Sequence, residues 1–332
     1  MNKSVFGRLL LVGLVVSIAL LVMALVGRPS QTGAFVPGGD HVLHVAPQLD
    51  TGINFTGVQA AFDYASANGA WQGITTGTTE QGGTPWVVVL HPGVYNESGI
   101  VTRNGVNVTS LMERTVLITS SAASPLVTCD SDTTIAGVTI EQQNTAYPAL
   151  LVTDNAIQCS LHRDIVANVT FDAPAIVQNG GFLRVFDTDI RAGRILLAPT
   201  VNRPQSNPVG MNFIRSRFWN GNFYLTGSNN MLLMIGQSDL GEMSVLSTAT
   251  GHVNGKFYGN TNLGRGENSG TFRYEIRDSD ISILAMTGAL STAQVYGGFV
   301  ENTMNPGQVT WHEDARYHWL AERVAALEAL HR

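Results

Sequence analysis

Apolar residues recur along the chain in a six-residue unit: apolar, two variable, a small hydroxyl or amide, one variable, apolar. Clean copies begin at Val185, Phe213, Ile235, Tyr258, Ile276 and Phe299, and looser ones at Ile135 and Ile165. They start roughly 18 to 30 residues apart, the spacing of supersecondary units stacked one upon the next. The segments are short, β-rich and bounded by Gly, Asn, Asp and Ser, with no helix-length apolar stripe between them, so the repeats are strands. Within each unit the two apolar residues are an odd number apart and would point to opposite faces of a straight strand. Both face one core only if the chain bends between them, and the fourth-position hydroxyl or amide suits a corner by bonding nearby backbone. The pattern predicts an all-β, right-handed parallel β-helix.

The ends differ. Residues 9–26 are an apolar run interrupted only by Gly13 and Ser17, preceded by Lys3 and Arg8 and lacking a clean cleavage site. This reads as an uncleaved transmembrane anchor over residues 1–28, with the body on the extracellular or virion-exterior side. Residues 29–50 read as a linker and a first short strand at 41–45, and residues 51–305 as the β-helix. Thr56 and Gln59 have capping-box spacing, and Val58, Ala61, Phe62 and Ala65 share one helical face, predicting a helix over 56–68 that plugs the open end of the stack. Residues 306–332 read as a C-terminal helix opened by Thr310. Its seam of Tyr317, Leu320, Val324, Leu327 and His331 is short for a coiled coil. It predicts either self-association, with a trimer favoured, or a cap on the last rung.

Composition narrows the chemistry. With 44% apolar and 13% charged residues and a net charge of −6, the chain can bury a long core but has no basic patch for nucleic acid. Stacking the six clean units places Asp187, Arg215, Gln237, Asn260, Asp278 and Glu301 in one column, and Asp189, Arg217, Asp239, Asn262, Asp280 and Thr303 in the next. Asp187 with Asp189, or Asp278 with Asp280, is then either an acid pair in a carbohydrate groove or part of a surface ladder of alternating charge. Cys129 and Cys159 each stand six residues before an apolar repeat position, which leaves a disulfide between neighbouring rungs and a stacked pair of free thiols both open. Asn54, Asn96, Asn107 and Asn168 lie in glycosylation sequons. The histidines are dispersed, and neither a metal site nor a cofactor is expected.

Residues 55–62 (Phe-Thr-Gly-Val-Gln-Ala-Ala-Phe), then Val87-Val-Val-Leu-His-Pro-Gly-Val-Tyr-Asn-Glu97, then Val106-Asn-Val-Thr109 resemble the opening of pectin methylesterases and of the wider pectate-lyase-like superfamily. Gly93-Val-Tyr-Asn-Glu97 matches that family's GxYxE element. The resemblance implies a parallel β-helix and a carbohydrate substrate, acted on in the esterases by two aspartates and an arginine. Here the chain departs from the family: Asp187-Thr-Asp189 lacks the flanking Gln and Leu, no DFIFG-like stretch is present, and Asn262-Leu-Gly-Arg-Gly266 has Gly where the family has Pro-Trp. The expectation is therefore a non-catalytic, membrane-anchored surface or virion spike, a rigid stalk or head that binds a receptor or glycan. The alternative is a carbohydrate-active enzyme (lyase, esterase or hydrolase) with a divergent groove site.

Overall fold

A computed structural model of the chain describes residues 41–70, 85–130, 132–201, 203, 208–219, 222–240, 244–259, 262–268, 272–286, 292–304 and 309–312. Of the chain's two compact units, one (residues 37–49 and 53–332) holds the β-structure. The other (1–36 and 50–52) contributes to the described part only an exposed turn around Gly52. Both the anchor (1–28) and the seam of residues 317–331 lie outside the described residues. Among the described residues no helix is long and apolar enough to cross a membrane.

The pairings are parallel throughout, and the chain climbs by visiting three faces in turn. The first face is built by Trp86–Leu90, Val106–Ser110, Thr133–Ala136, Gln158–His162, Phe182–Phe186, Val209–Ile214, Met231–Gly236 and Val253–Tyr258, and continues into Phe272–Met286 and Thr292–Met304. The second is a separate sheet of Gly93–Asn96, Val116–Ser120, Val138–Gln142, Ile165–Asn168, Asp189–Ala192 and Arg217–Phe218. The third includes Val127–Cys129, Leu150–Val152, Pro174–Gln178, Arg194–Leu197 and Phe223–Leu225. Parallel crossovers of this kind are right-handed. The result is a right-handed parallel β-solenoid.

Alternation along each strand sends every second side chain inward. Val88, Val108, Ile135, Leu161, Val185, Phe213, Ile235, Phe257, Ile276 and Val295 therefore stack as one buried column down the first face. Two residues past seven of these ten column members, from Ile135 to Ile276, the backbone enters the left-handed region, at Gly137, Arg163, Asp187, Arg215, Gln237, Gly259 and Asp278. The next residue turns inward and is buried: Asp164, Thr188, Ser216, Ser238 and Ser279. Each hydroxyl binds its own rung's carbonyl, as Ser238 does to Gly236 O at 2.8 Å. It also accepts the N–H from the rung before: Ser216 N donates to Ser238 Oγ at 3.1 Å, Thr188 N to Ser216 Oγ at 3.4 Å and Asp164 N to Thr188 Oγ1 at 3.3 Å. The corner is thus a hydrogen-bonded spine, with the left-handed residue one position before the hydroxyl.

Register corrects three of the expected repeats. Phe257, not Tyr258, stands in the apolar column, so Gly259 replaces Asn260 at the corner. Val295 replaces Phe299, which instead pairs opposite Asp280, and Thr303 pairs opposite Leu284. The unit expected at Ile165 begins at Leu161, the true partner of Ile135. In each case a nearby apolar residue fits the six-residue template better than the one that holds the column: the true units carry Asn262 at the last position, or Gly298 or Asp164 at the fourth.

The N-terminal end is covered as the amphipathic pattern required, by different chemistry. The helix runs Val58–Ala67 with Gly57 as N-cap, and Val58, Ala61, Phe62 and Ala65 are buried. Thr56 makes no capping bond. Instead the Glu97 carboxylate accepts from Val58 N at 2.6 Å and Gln59 N at 3.1 Å, placing an anion where the first-turn N–H groups are unpaired. At the other end, Thr310 lies inside a strand, Val309–Trp311, paired with Thr292–Met304. It is not the N-cap of a helix; residues 313–332 lie outside the described residues.

Candidate functional site

The first face carries a trench on its outer side. Two adjoining hollows of about 520 Å³ and 450 Å³ share Thr134. One is lined by Asn107, Asp132, Thr133, Gln158 and Ile157, and the other by Thr109, Glu113, His162 and Arg163 with Leu111 at the rim. Three strands make this floor: Val106–Ser110, Thr133–Ala136 and Gln158–His162. Ala136 stands between the bulkier Thr109 and His162 on the flanking strands, and Thr134 lies opposite the small Ser160. The wall is the connection at 111–115, which exposes Leu111 and Met112. One end of the trench is mostly amide and hydroxyl, with the Asp132 carboxylate bonded to Ile157 N and Gln158 N; the other holds Glu113, His162 and Arg163.

At the charged end Arg163, held in the left-handed corner conformation, donates to Glu113 Oε1 at 2.6 Å. The side chain of His162 is half-buried and stacks on Phe186, with ring centroids 4.8 Å apart. Burial holds its imidazole below the ordinary histidine range, with Asp187 opposing and Arg163 reinforcing that effect. One rung on, Arg215 makes a bidentate pair with Asp187 at 2.7 and 2.9 Å. The hydrogen bond from Arg215 holds the Asp187 carboxyl below its usual value. A half-buried imidazole whose proton affinity is lowered is thereby set beside the Asp187 carboxylate and the Arg163 guanidinium, an arrangement suited to proton transfer.

Solved structures similar to the chain are pectin methylesterases. The enzyme PemA from Erwinia chrysanthemi is 13% identical, with a TM-score of 0.43 over 80% of this chain and 93% of its own. The carrot enzyme is 11% identical, with a TM-score of 0.41 over 84% and 90%. A pectin methylesterase in complex with a hexasaccharide is 13% identical, with a TM-score of 0.40 over 83% and 92%. No family model and no curated protein matches the chain. The fold itself, from its own strand pairings, is a right-handed parallel β-solenoid. The expectation of a non-catalytic spike is corrected in favour of its alternative, since the solved chains similar to this one are pectin methylesterases; the ladder of opposite charge is present at Asp187 and Arg215, and the corner one rung before it lines a trench that holds an imidazole.

The aspartates singled out from sequence do not converge. Asp187 faces Arg215, whereas Asp189 turns onto the second face, 3.3 Å from Arg114. Thr188 is buried between them. Asp278 occupies the same corner column as Asp187 but four rungs along, roughly 19 Å away at strand spacing, and Asp280 pairs opposite Asn262 and Phe299. These residues are two separate places on the solenoid. The missed residues are Glu113, His162 and Arg163. His162 and Arg163 were hidden because their repeat carries Asp164 where the template asks for a hydroxyl or amide.

Cys129 and Cys159 are joined by a disulfide. They do not occupy matching positions, since Cys159 pairs opposite Thr133 and Cys129 opposite Val152; the bridge spans the corner between the third and first faces. Of the sequon asparagines, Asn96 is exposed, whereas Asn168 is 2% exposed and bonds Tyr147 O and Pro174 O. Asn54 accepts from His44 N, and Asn107 from Thr134 N. Trp86 is buried, Trp219 lies exposed under the Arg217 guanidinium on the second face, and Trp71 is outside the described residues.

Proposed function

We propose that the chain is a carbohydrate-active enzyme that takes an extended polysaccharide into the trench of the first face. The observation that carries this reading is the meeting of His162, Glu113 and Arg163 at one end of a trench whose other end is lined by amide and hydroxyl groups together with Asp132. Asn107, Thr134 and Gln158 offer the neutral donors and acceptors that sugar hydroxyls need, and exposed Leu111 and Met112 offer apolar cover for ring faces. His162 acts as general base, because burial keeps its imidazole unprotonated near neutral pH. The Asp187 carboxyl, held below its usual value by Arg215, stabilises the imidazolium that forms, and Glu113 fixes the neighbouring Arg163.

The test is a panel of neutral and acidic polysaccharides incubated with the protein, with released fragments or ester-derived alcohol followed by mass spectrometry. Turnover by the wild type, lost in His162→Gln and reduced in Glu113→Gln, is the expected outcome. Unchanged turnover in His162→Gln removes the histidine from the reaction, and no turnover of any polymer by the wild type removes the enzyme.

A further inference from the structure

A second arrangement of side chains stands at the N-terminal end of the solenoid, apart from the trench. The first strand, Val42–Val45, runs parallel to Trp86–Leu90, with Val45 opposite Leu90. That register brings His44 beside His91, which follows the second strand directly. Nδ1 of His44 lies 3.0 Å from Nε2 of His91, and the ring planes are inclined at 64°. Both side chains are half-buried and open to solvent on one side. The backbone on each side is fixed: His44 N donates to Asn54 Oδ1 at 2.6 Å, and the Tyr95 hydroxyl lies 2.8 Å from both Val45 O and His91 O.

We propose that His44 and His91 form a two-imidazole binding site for a divalent transition-metal ion such as zinc, completed by water. The two nitrogens share a hydrogen bond along the line of the ring centroids; two imidazole nitrogens at about 2.0–2.1 Å from a tetrahedral ion stand roughly 3.3 Å apart, so ligation replaces that hydrogen bond, spreads the pair by a few tenths of an ångström and turns the rings until both lone pairs converge on the ion. Ligation requires a lone pair on each facing nitrogen: His44 carries its proton on Nε2 and His91 on Nδ1, both rings neutral, and no proton is released to solvent. Among the described residues no group of three or more His, Cys, Asp or Glu could hold a metal ion. The site therefore offers two protein ligands, and its ion exchanges readily. Imidazole donors suit zinc, nickel and copper; magnesium and calcium need oxygen. A bound ion staples the first strand to the turn that carries Tyr95, and so stabilises the folded state by mass action.

Zinc chloride titrated into the full chain at neutral pH should raise the midpoint of thermal unfolding saturably. The rise should be lost in His44→Gln and in His91→Gln, kept in His252→Gln, and absent when magnesium replaces zinc. Equilibrium dialysis of zinc against the same proteins keeps the test clear of folding defects, with His91→Asn as a second variant. Loss of bound zinc in each folded variant supports the site. No zinc retained by the wild type, or equal retention by the His44 and His91 variants, overturns it.

Discussion

Replacing Glu97 by alanine removes the one group that caps the helix Val58–Ala67. Its carboxylate accepts from two first-turn amides, at 2.6 and 3.1 Å, and nothing in the helix's own first turn replaces it, since Gly57 has no side-chain cap and the turn carries no acidic residue. Loss of an N-cap costs about 0.5–2 kcal/mol, and loss of the anion facing the helix dipole about 0.3–1 kcal/mol more. Glu97→Ala should therefore weaken the cap by about 2 kcal/mol, and Glu97→Gln, which retains one acceptor oxygen but not the charge, by about 1 kcal/mol. A solenoid opens from its ends, so local opening is the better measure than global unfolding. Hydrogen exchange at the helix amides should accelerate about thirtyfold in Glu97→Ala, and fluorescence of Trp86, whose ring meets Tyr64 of the helix edge-on, should report the same loosening. Unchanged exchange in Glu97→Ala would refute the capping argument. Equal effects of the two substitutions would refute the share assigned to the retained oxygen.

Three further outcomes follow from the corner and the bridge. Burial raises the Asp164 carboxyl well above its ordinary value, against bonds from Val138 N at 2.8 Å and His162 N at 2.9 Å. The folded chain then holds a proton that the unfolded chain releases, so stability is highest below about pH 3.9 for this group and declines as pH rises towards the folded value. In Asp164→Asn this component of the pH dependence disappears; urea midpoints measured across pH that decline identically in both proteins would contradict it. Gln237 holds a left-handed conformation at φ 51°, and Gln237→Gly should raise stability by about 0.5–1 kcal/mol after glycine's own entropic cost. Lower stability in urea titration would mean that its side-chain contacts outweigh the strain. Removing the Cys129–Cys159 bridge, which closes a loop with a sequence separation of 30, should cost about 3–4 kcal/mol by loop entropy. A Cys129→Ser, Cys159→Ser protein that unfolds at the wild-type urea concentration would show that the bond constrains little.

Much of this architecture can be read from residue spacing, because a solenoid repeats one local rule. The buried column and hydroxyl spine at Val185, Phe213, Ile235 and Ile276 follow from apolar periodicity and a corner residue that must bond its neighbours. Where the rule failed, a second apolar residue lay next to the first: Tyr258 beside Phe257, and Phe299 four residues after Val295. Choosing between them needs the pairing register, which is a long-range property. The trench was illegible for a related reason. Glu113 lies 50 residues from Arg163, and only the stacking of rungs brings them together. Asp164, read as a template mismatch, is the residue whose carboxyl bonds the backbone on two rungs in place of a hydroxyl. Likewise Glu97 was visible as part of GxYxE, but its role as a helix cap depends on a contact across 39 residues.

The claim on which the functional account turns is that polysaccharide enters the trench of the first face. Hydrogen exchange with and without a saturating oligosaccharide that the protein turns over measures this directly. Protection gathered at residues 105–114, 132–137 and 157–163 is the predicted result. Protection confined to the second or third face, with those three segments unaffected, would contradict the account.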